Sequence, residues 1–166
     1  NTNHNRTYLS SDMEEREKLP QKESVVFLLY KDNQVLLEKR TNKISDAYSG
    51  MLIVPGGKIE QKDYSQPDYF LTALIREVEE ELSVKPLRIT HLFDNPHNLT
   101  PRGNVYYSRV YLVTEWEGEI KSQEPEKATA VWVNIDEATS MVPLQFSKEI
   151  IAAARQLLPH STQEST

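Results

Sequence analysis

Apolar and polar residues alternate in short blocks along most of the chain, and the block lengths predict strands before any helix. Residues 24–30 form a β-rich run without polar interruption, which predicts a strand covered on both faces. The polar residues 31–34 predict a turn, after which residues 35–40 would return as the second strand of a hairpin. Residues 51–54 predict a short buried strand that ends at the Pro-Gly-Gly sequence of residues 55–57.

The best helical pattern covers residues 68–82. Its apolar residues recur at helical spacing and form one stripe, which comprises Leu71, Leu74, Ile75, Val78 and Leu82. Pro67 precedes this segment at a position where a helix tolerates proline. A second amphipathic helix is predicted at residues 146–158, with strands between the two helices at residues 87–93, 105–114 and 130–135.

This order of elements predicts the fold class. Strands, a helix, further strands and a last helix favour an α/β (α+β) fold, a mixed β-sheet sandwiched between helices. We expect one domain over residues 24–158, preceded by a polar N-terminal extension, residues 1–23, and followed by a C-terminal tail, residues 159–166.

The composition narrows the classes of partner. The chain has 19 Lys and Arg against 25 Asp and Glu, a net charge of -6, so nucleic acid polymers and anionic membranes are not expected as main partners. We expect no membrane span, because the longest apolar runs have the length of strands. The chain contains no Cys, which fits the reducing cytoplasm, the location that we expect.

Candidate chemistry lies in the second half of the first helix. Glu77, Glu80 and Glu81 fall within roughly 100° of the helix circumference, whereas Glu79 points away. Like charges at this spacing repel each other, and a cation such as Mg²⁺ or Mn²⁺, which prefers oxygen ligands, would remove that penalty. A solvated acidic face is the alternative interpretation of these carboxylates taken alone.

The residues ahead of the helix favour the metal site. Gly56 and Gly57 let backbone groups approach a ligand closely. Arg40 and Lys58 supply cations that would meet phosphate oxygens of a substrate. Together with the carboxylates and the adjacent Arg76, these residues predict a metal and phosphate site.

The same residues resemble the Nudix box of the Nudix hydrolases. Gly57 matches the first Gly of the box, and Arg76-Glu77-Val78 matches its Arg-Glu-aliphatic sequence. Glu80-Glu81 matches the Glu pair that follows, and Val84 matches the last aliphatic position. The strands before and after the box extend the resemblance over residues 24–158.

Three departures from the family pattern are expected to leave the chemistry intact. Asp63 stands where the family has Glu, and its side chain is one methylene shorter. Twelve residues separate Asp63 from Arg76, five more than in the family, so we expect a longer loop before an intact helix. Ser83 replaces the Gly at the helix end, which would cost about 1 kcal/mol in a left-handed conformation.

The resemblance implies hydrolysis of a nucleotide pyrophosphate with Mg²⁺ or Mn²⁺ as cofactor. The metal ligands that it implies are the backbone carbonyl of Gly56 and the carboxylates of Glu77, Glu80 and Glu81. Arg76 would brace the Glu side chains by ion pairing, and Lys58 and Glu60 would lie beside the substrate phosphates.

The identity of the general base is open at this point. In this family the base varies between members, so it would be Glu80 on the helix or a carboxylate of a later loop, where Glu124 and Glu126 are the candidates. The alternative interpretation of the later loop is an exposed charged segment.

The substrate class also stays open. The compact length and residues 110–119 resemble mutator-type nucleoside triphosphate pyrophosphohydrolases, which clear oxidised or non-standard nucleotides and release nucleoside monophosphate and pyrophosphate. One alternative is a hydrolase of ADP-ribose, a nucleotide sugar or a dinucleoside polyphosphate. Another is a nucleotide-binding sensor or scaffold without turnover. We expect a nucleotide as partner, allow for a homodimer, and name as residues for base recognition Tyr48, Phe93, Tyr107, Gln145 and Phe146.

Overall fold

Seven strands and three α-helices lie within residues 22–159, the part of the chain that this computed structural model describes. The strands are β1 (Glu23–Lys31), β2 (Gln34–Arg40), β3 (Leu52–Ile53), β4 (Gly56–Lys58), β5 (Lys85–Leu99), β6 (Val105–Glu117) and β7 (Ala128–Asn134). The helices are a 3₁₀ helix (Gln61–Ser65), α1 (Tyr69–Leu82), α2 (Ile135–Met141) and α3 (Gln145–Leu157). The expected terminal segments lie outside the described residues, apart from residues 22, 23 and 159.

The strands form one mixed sheet. Its main path runs β3-β2-β1-β6-β5, while β4 pairs with β1 and β7 pairs with β2. β1 and β6 are parallel, and the other pairs are antiparallel. α1 packs on one face of the sheet, and α2 and α3 pack on the other. The predicted fold class, a mixed sheet between helices, is therefore confirmed.

β1 supplies both layers of the core, because successive side chains of a strand point to opposite faces. Val25, Phe27 and Leu29 pack with the residues of α1. Val26 and Leu28 pack with the residues of α2 and α3. Burial on both faces is the physical reason for the uninterrupted apolar run in this strand.

β1 and β2 separate part-way along, and this divergence shapes the site. The two strands pair only from Leu29 and Leu36 to the turn that joins them. At that turn Asp32 and Asn33 have φ angles of 51° and 64°, which suits a tight hairpin. Beyond the paired region, β4 takes the free edge of β1 and β3 takes that of β2. The glycine strand β4 is thereby held beside β1.

Three elements are not predicted by the sequence patterns. The first is β4, which forms at the Pro-Gly-Gly sequence where the pattern predicts the end of a strand. The extra residues ahead of α1 form the 3₁₀ helix instead of a plain loop, because Glu60 and Asp63 cap each other's backbone reciprocally. α2 begins at Asn134, whose side chain accepts a hydrogen bond from the backbone of Asp136. Ser83 does end α1 in the left-handed conformation, with φ 65° and ψ 20°. Among the described residues, none of the helices has the length and apolarity that crossing a membrane requires.

Candidate active site

The side chain of Arg76 lies at the centre of four carboxylates. Its guanidinium donates to both oxygens of Asp63, from Nε at 3.1 Å and from Nη2 at 2.8 Å. Its Nη1 contacts oxygens of Glu60, Glu77 and Glu80 at 2.6, 2.9 and 3.1 Å. One guanidinium thus faces four carboxylates. Even with Lys62, which contacts Glu60 at 3.9 Å, this Arg76 cluster carries an excess of negative charge.

Asp63 anchors the cluster from the 3₁₀ helix. Its side chain is 1% exposed, and one oxygen also accepts the backbone N–H of Glu60 at 2.8 Å. The hydrogen bonds from Arg76 hold the pKa of Asp63 below its usual range, and those same bonds raise the pKa of Arg76. The shorter side chain therefore fulfils its supporting role, because the 3₁₀ helix brings the backbone within its reach.

Glu77 is held in a space that only glycine leaves open. A Cβ atom at Gly57 would lie 2.1 Å from the carboxyl carbon of Glu77. Glu77 itself is buried. Burial raises its pKa, the charges of Glu80 and Glu60 raise it further, and the bond from Arg76 opposes both effects.

The donor set of the cluster fits a hard divalent cation. Carboxylate oxygens of Glu60, Glu77 and Glu80 all lie within 4.8 Å of one another. Arg76 engages one oxygen of each of these side chains, which leaves the second oxygen of each as a ligand. Gly56 pairs with Val26 in the non-hydrogen-bonded register, so its carbonyl points away from β1. These oxygen donors are the type that Mg²⁺ and Mn²⁺ prefer.

A large cleft of about 850 Å³ opens beside the cluster, on the face of the sheet that carries α3. Gly56, Gly57 and Lys58 line the part of the cleft at β4. Of the residues expected to recognise a base, the cleft is lined by Tyr48, Gln145 and Phe146. Phe93 and Tyr107 do not line it, since Phe93 packs against the core and Tyr107 binds Asp94.

A smaller cleft of about 310 Å³ lies at the C-terminal end of α1, where Glu81 meets Glu38 and Glu124. Burial, followed by the charges of Glu38 and Glu77, raises the pKa of Glu81 to about 9. A bound cation would reverse this shift by favouring the charged carboxylate. Glu38, Arg40 and Lys127 line both clefts, which makes the two cavities neighbours.

The sequence matches the NUDIX domain family over residues 20–156, most of its length. The chain belongs to the Nudix family. Nudix hydrolases act on pyrophosphate bonds and generally use a divalent metal ion, and this chain is such a hydrolase. No curated protein sequence matches the chain significantly.

Solved structures share the Nudix fold. A MutT NUDIX hydrolase from Burkholderia pseudomallei is 24% identical, with a TM-score of 0.63, over 84% of this chain and 100% of that one. The NUDIX domain of Shewanella oneidensis NrtR, complexed with ADP ribose, is 21% identical, with a TM-score of 0.67, over 87% and 92% of the two chains. An ADP compounds hydrolase is 17% identical, with a TM-score of 0.64, over 85% and 75%. At these identities the similarity establishes the fold alone.

Arg40, Lys58 and Glu60, the residues expected to bind substrate, have three different environments in this Nudix site. Arg40 contacts Glu38 and Asp46, each at 2.9 Å, so two carboxylates offset its charge. Lys58 is exposed in the large cleft, and its backbone carbonyl accepts a hydrogen bond from Arg76 at 3.1 Å. Glu60 lies in the Arg76 cluster, among the carboxylates. These three roles stay predictions.

The expected catalytic residues are only partly brought together. Glu80 belongs to the Arg76 cluster, and Glu77, Glu80 and Glu81 all line the smaller cleft, although Glu81 is outside the compact group of oxygens. Glu124 lines the same cleft as Glu81. Glu126 lines neither cleft, and its backbone carbonyl accepts a hydrogen bond from Thr41 at 3.0 Å. The geometry therefore favours Glu124 over Glu126 as the later-loop carboxylate.

Sequence reasoning does not find Glu38, which lines both clefts of the Nudix site. Burial raises the pKa of Glu38, and the hydrogen bond from Arg40 opposes that shift. A signal for it exists in the pattern of β2, because Glu38 directly follows the buried Val35, Leu36 and Leu37 and lies two residues before Arg40 on the same face.

Proposed function

We propose that this Nudix hydrolase cleaves a pyrophosphate bond of nucleoside triphosphates or related nucleotides with Mg²⁺ or Mn²⁺, releasing nucleoside monophosphate and pyrophosphate. The observation that carries the proposal is the Arg76 cluster, one guanidinium for four carboxylates, of which Glu77 and Glu80 line the smaller cleft that adjoins the cleft of about 850 Å³. Excess negative charge that is partly buried is costly, and a divalent cation offsets it.

The roles follow from position. We assign the cation to oxygens of Glu77 and Glu80, with Glu60 or Glu81 and the Gly56 carbonyl completing the set. When bound, a divalent cation neutralises phosphate charge and acts as a Lewis acid. Arg76 keeps the carboxylates in place through its hydrogen bonds, and its own charge lowers their mutual repulsion.

The remaining groups act on the substrate and on water. Lys58, exposed in the large cleft, would bind phosphate oxygens as a point charge. Arg40 is already paired with Glu38 and Asp46. Through this pairing it would keep Glu38 in position between the two clefts. A carboxylate must accept the proton of the attacking water, and we propose Glu80 or Glu124 for this step.

The test is a phosphate-release screen over nucleoside triphosphates and diphosphate derivatives, with Mg²⁺ or Mn²⁺ and with EDTA as control. The proposal expects turnover of at least one nucleotide and its loss with EDTA. Products resolved by anion-exchange chromatography should be monophosphate and pyrophosphate. Binding without turnover of any nucleotide would favour the sensor or scaffold alternative and contradict the proposal.

A second candidate is a hydrolase of substrates with groups at both ends of the phosphate chain. The size of the large cleft favours it, and so does the fold shared with a domain that was solved with ADP ribose. The comparison to make is kcat/KM for triphosphates, ADP-ribose and a dinucleoside tetraphosphate. A preference above about tenfold, or 1.4 kcal/mol, for either two-ended substrate would overturn the triphosphate assignment. A cytoplasmic location and a homodimer stay predictions from the sequence.

A further inference from the structure

Two loops that line the large cleft meet at its edge. One is residues 43–46, between β2 and β3, and the other is residues 100–104, the turn between β5 and β6. They are joined by a hydrogen bond in which Nη2 of Arg102 donates to the backbone carbonyl of Ser45. We call these two loops the cleft rim.

Local hydrogen bonds keep both loops of the rim compact. In the first loop, the backbone N–H of Asp46 donates to the carbonyl of Lys43 at 3.0 Å. In the second, the backbone N–H of Gly103 donates to the carbonyl of Thr100 at 2.9 Å. The guanidinium of Arg102 is therefore held in place from two sides, by its own turn and by the facing loop.

Arg102 differs in its partners from the other arginines that the structure describes. Within residues 22–159, five of the six arginines contact a carboxylate, namely Arg40, Arg76, Arg88, Arg109 and Arg155. Arg102 contacts none there, and its hydrogen bond to Ser45 goes to a neutral carbonyl. The next carboxylate along that loop, Asp46, is already engaged by Nη2 of Arg40 at 2.9 Å and by the backbone N–H of Tyr48 at 3.0 Å.

The charge of the large cleft is opposite to that of the whole chain. Five cationic side chains and two carboxylates line the cleft, in a chain with a net charge of -6. Both carboxylates, Glu38 and Asp46, are bound by Arg40. Among the described residues they therefore leave Lys43 and Arg102, the cations of the rim, without a carboxylate contact. A cleft lined by one sign of charge concentrates ligands of the opposite sign, and a guanidinium matches the geometry of phosphate.

The rim is set apart from the Arg76 cluster along the sheet. Lys58, on β4 beside the cluster, is level with Ser108 of β6 across β1. Asn104, in the same turn as Arg102, lies two strands from β4 and four residues before Ser108, about 10 Å across the sheet and about 14 Å along it. The guanidinium of Arg102 is held by the β2–β3 loop and not by β4. At the backbone, this separation exceeds the spacing of the two phosphorus atoms of one pyrophosphate.

We propose that Arg102 binds a phosphate group of the nucleotide other than the pyrophosphate held at the metal. The proposal rests on the proposed function, because that function places a nucleotide in the large cleft. Two sources supply such a group: the end of a longer phosphate chain, as in the γ-phosphate of a triphosphate, or a phosphate on the ribose. Both present anionic oxygens that accept charge-assisted hydrogen bonds from a guanidinium.

Ligands that lack a cleavable pyrophosphate bond and differ by one phosphate distinguish the two sources. α,β-Methylene-ATP differs from α,β-methylene-ADP by the γ-phosphate, and adenosine 2′,5′- and 3′,5′-bisphosphate differ from AMP by a phosphate on the ribose. In calorimetry with Mg²⁺, wild-type protein should bind the ligand with the added phosphate at least about tenfold more tightly in one of these comparisons. Arg102→Gln should reduce that preference to below about threefold.

Arg88→Gln is the matched control, because it removes the same charge from an exposed arginine outside the large cleft. It should leave the wild-type preference unchanged, and Arg102→Lys, which keeps the charge, should lose less than Arg102→Gln. Melting temperatures of all variants should confirm folding.

Three results would overturn the assignment of Arg102. They are no preference of wild type in any comparison, the same preference in wild type and Arg102→Gln, and equal losses in Arg102→Gln and Arg88→Gln. A preference that depends on Arg102, in a protein that turns over no nucleotide, would contradict the proposed function and leave the assignment standing.

Discussion

Arg76 and Arg109 each hold an aspartate with two hydrogen bonds, but the two clusters differ in charge balance. Arg109 donates to both oxygens of Asp94 at 2.9 Å, and Asp94 also accepts from Tyr107 and contacts Nε2 of His91 at 2.7 Å. In that cluster the negative charge of one carboxylate is balanced by the positive charge of one guanidinium. The Arg76 cluster instead holds four carboxylates for its single guanidinium.

The difference separates a structural cluster from a site for a ligand. We call Asp94, Arg109, Tyr107 and His91 the balanced cluster. Its side chains all contact the carboxylate of Asp94, so groups of the protein alone compensate that negative charge. The hydrogen bonds from Arg109, first among several, hold the pKa of Asp94 well below its usual range. In the Arg76 cluster, by contrast, burial raises the pKa of Glu77 more than the hydrogen bond from Arg76 lowers it. The proposed cation would therefore complete only the Arg76 cluster.

The largest expected effect is the loss of activity in Glu77→Gln. Removing this ligand should lower kcat/KM by at least about 10²-fold, and Glu81→Gln should lose a similar factor. Without metal, Glu77→Gln should melt no lower than wild type, because the substitution removes an uncompensated buried charge. Glu79→Gln is the matched control on the exposed side of α1, and should change kcat/KM by less than about threefold. Equal losses in Glu77→Gln and Glu79→Gln would contradict the assignment.

The balanced cluster should respond in the opposite way. Asp94→Asn weakens the bonds to Arg109 and removes the negative charge, so the free energy of unfolding should fall by about 1–3 kcal/mol. Since Asp94 lines neither cleft, kcat/KM should stay within about threefold of wild type. Urea denaturation and steady-state kinetics on the same preparation measure both quantities. A large loss of activity with unchanged stability would show that the two clusters are not distinct in role.

A smaller effect is expected in how the contribution of Asp94 to the free energy of unfolding changes with pH. This contribution should decrease as pH falls. A carboxyl with a lowered pKa in the folded state contributes stability that is full above its unfolded pKa, and this contribution decreases as pH falls toward the folded pKa. The difference in unfolding free energy between wild type and Asp94→Asn should therefore be constant near neutral pH and shrink below about pH 4. A difference that grows on acidification would refute the assigned role of Asp94.

The smallest expected effect concerns the loop before β7. Glu124 lines the smaller cleft with Glu81 but is exposed and contacts Lys127 at 3.1 Å, so Glu124→Gln should lower kcat by about three- to tenfold. Glu126→Gln, in the same loop but outside both clefts, should be neutral. A loss confined to Glu126→Gln would restore it as the catalytic carboxylate.

The sequence predicts those features that depend on local spacing. The apolar run of β1, the stripe of α1 and the carboxylates of its last turns all follow from periodicity, and the strand order completes the fold class. Glu81 shows the limit of this reasoning. Helical phasing places it beside Glu77 and Glu80, with which it lines the smaller cleft, but phasing does not show that Glu38 and Glu124 reach the same cleft from distant segments.

Contacts between distant segments are what the sequence does not show. Asp63 is buried because Arg76, thirteen residues later, binds it, and neither residue alone indicates that pairing. Ser24 and Ser108 meet only through the parallel pairing of β1 with β6, which no local pattern specifies. Such pairs depend on tertiary structure.

The central claim is that the excess negative charge of the Arg76 cluster binds a divalent cation. Titration of Mn²⁺ into the protein, followed by the electron paramagnetic resonance signal of the free ion, tests it without any substrate. Wild type and Asp94→Asn should remove Mn²⁺ from the free pool with equal affinity, whereas Glu77→Gln should bind at least about tenfold more weakly, a loss of 1.4 kcal/mol. Equal Mn²⁺ binding by wild type and Glu77→Gln would contradict the account.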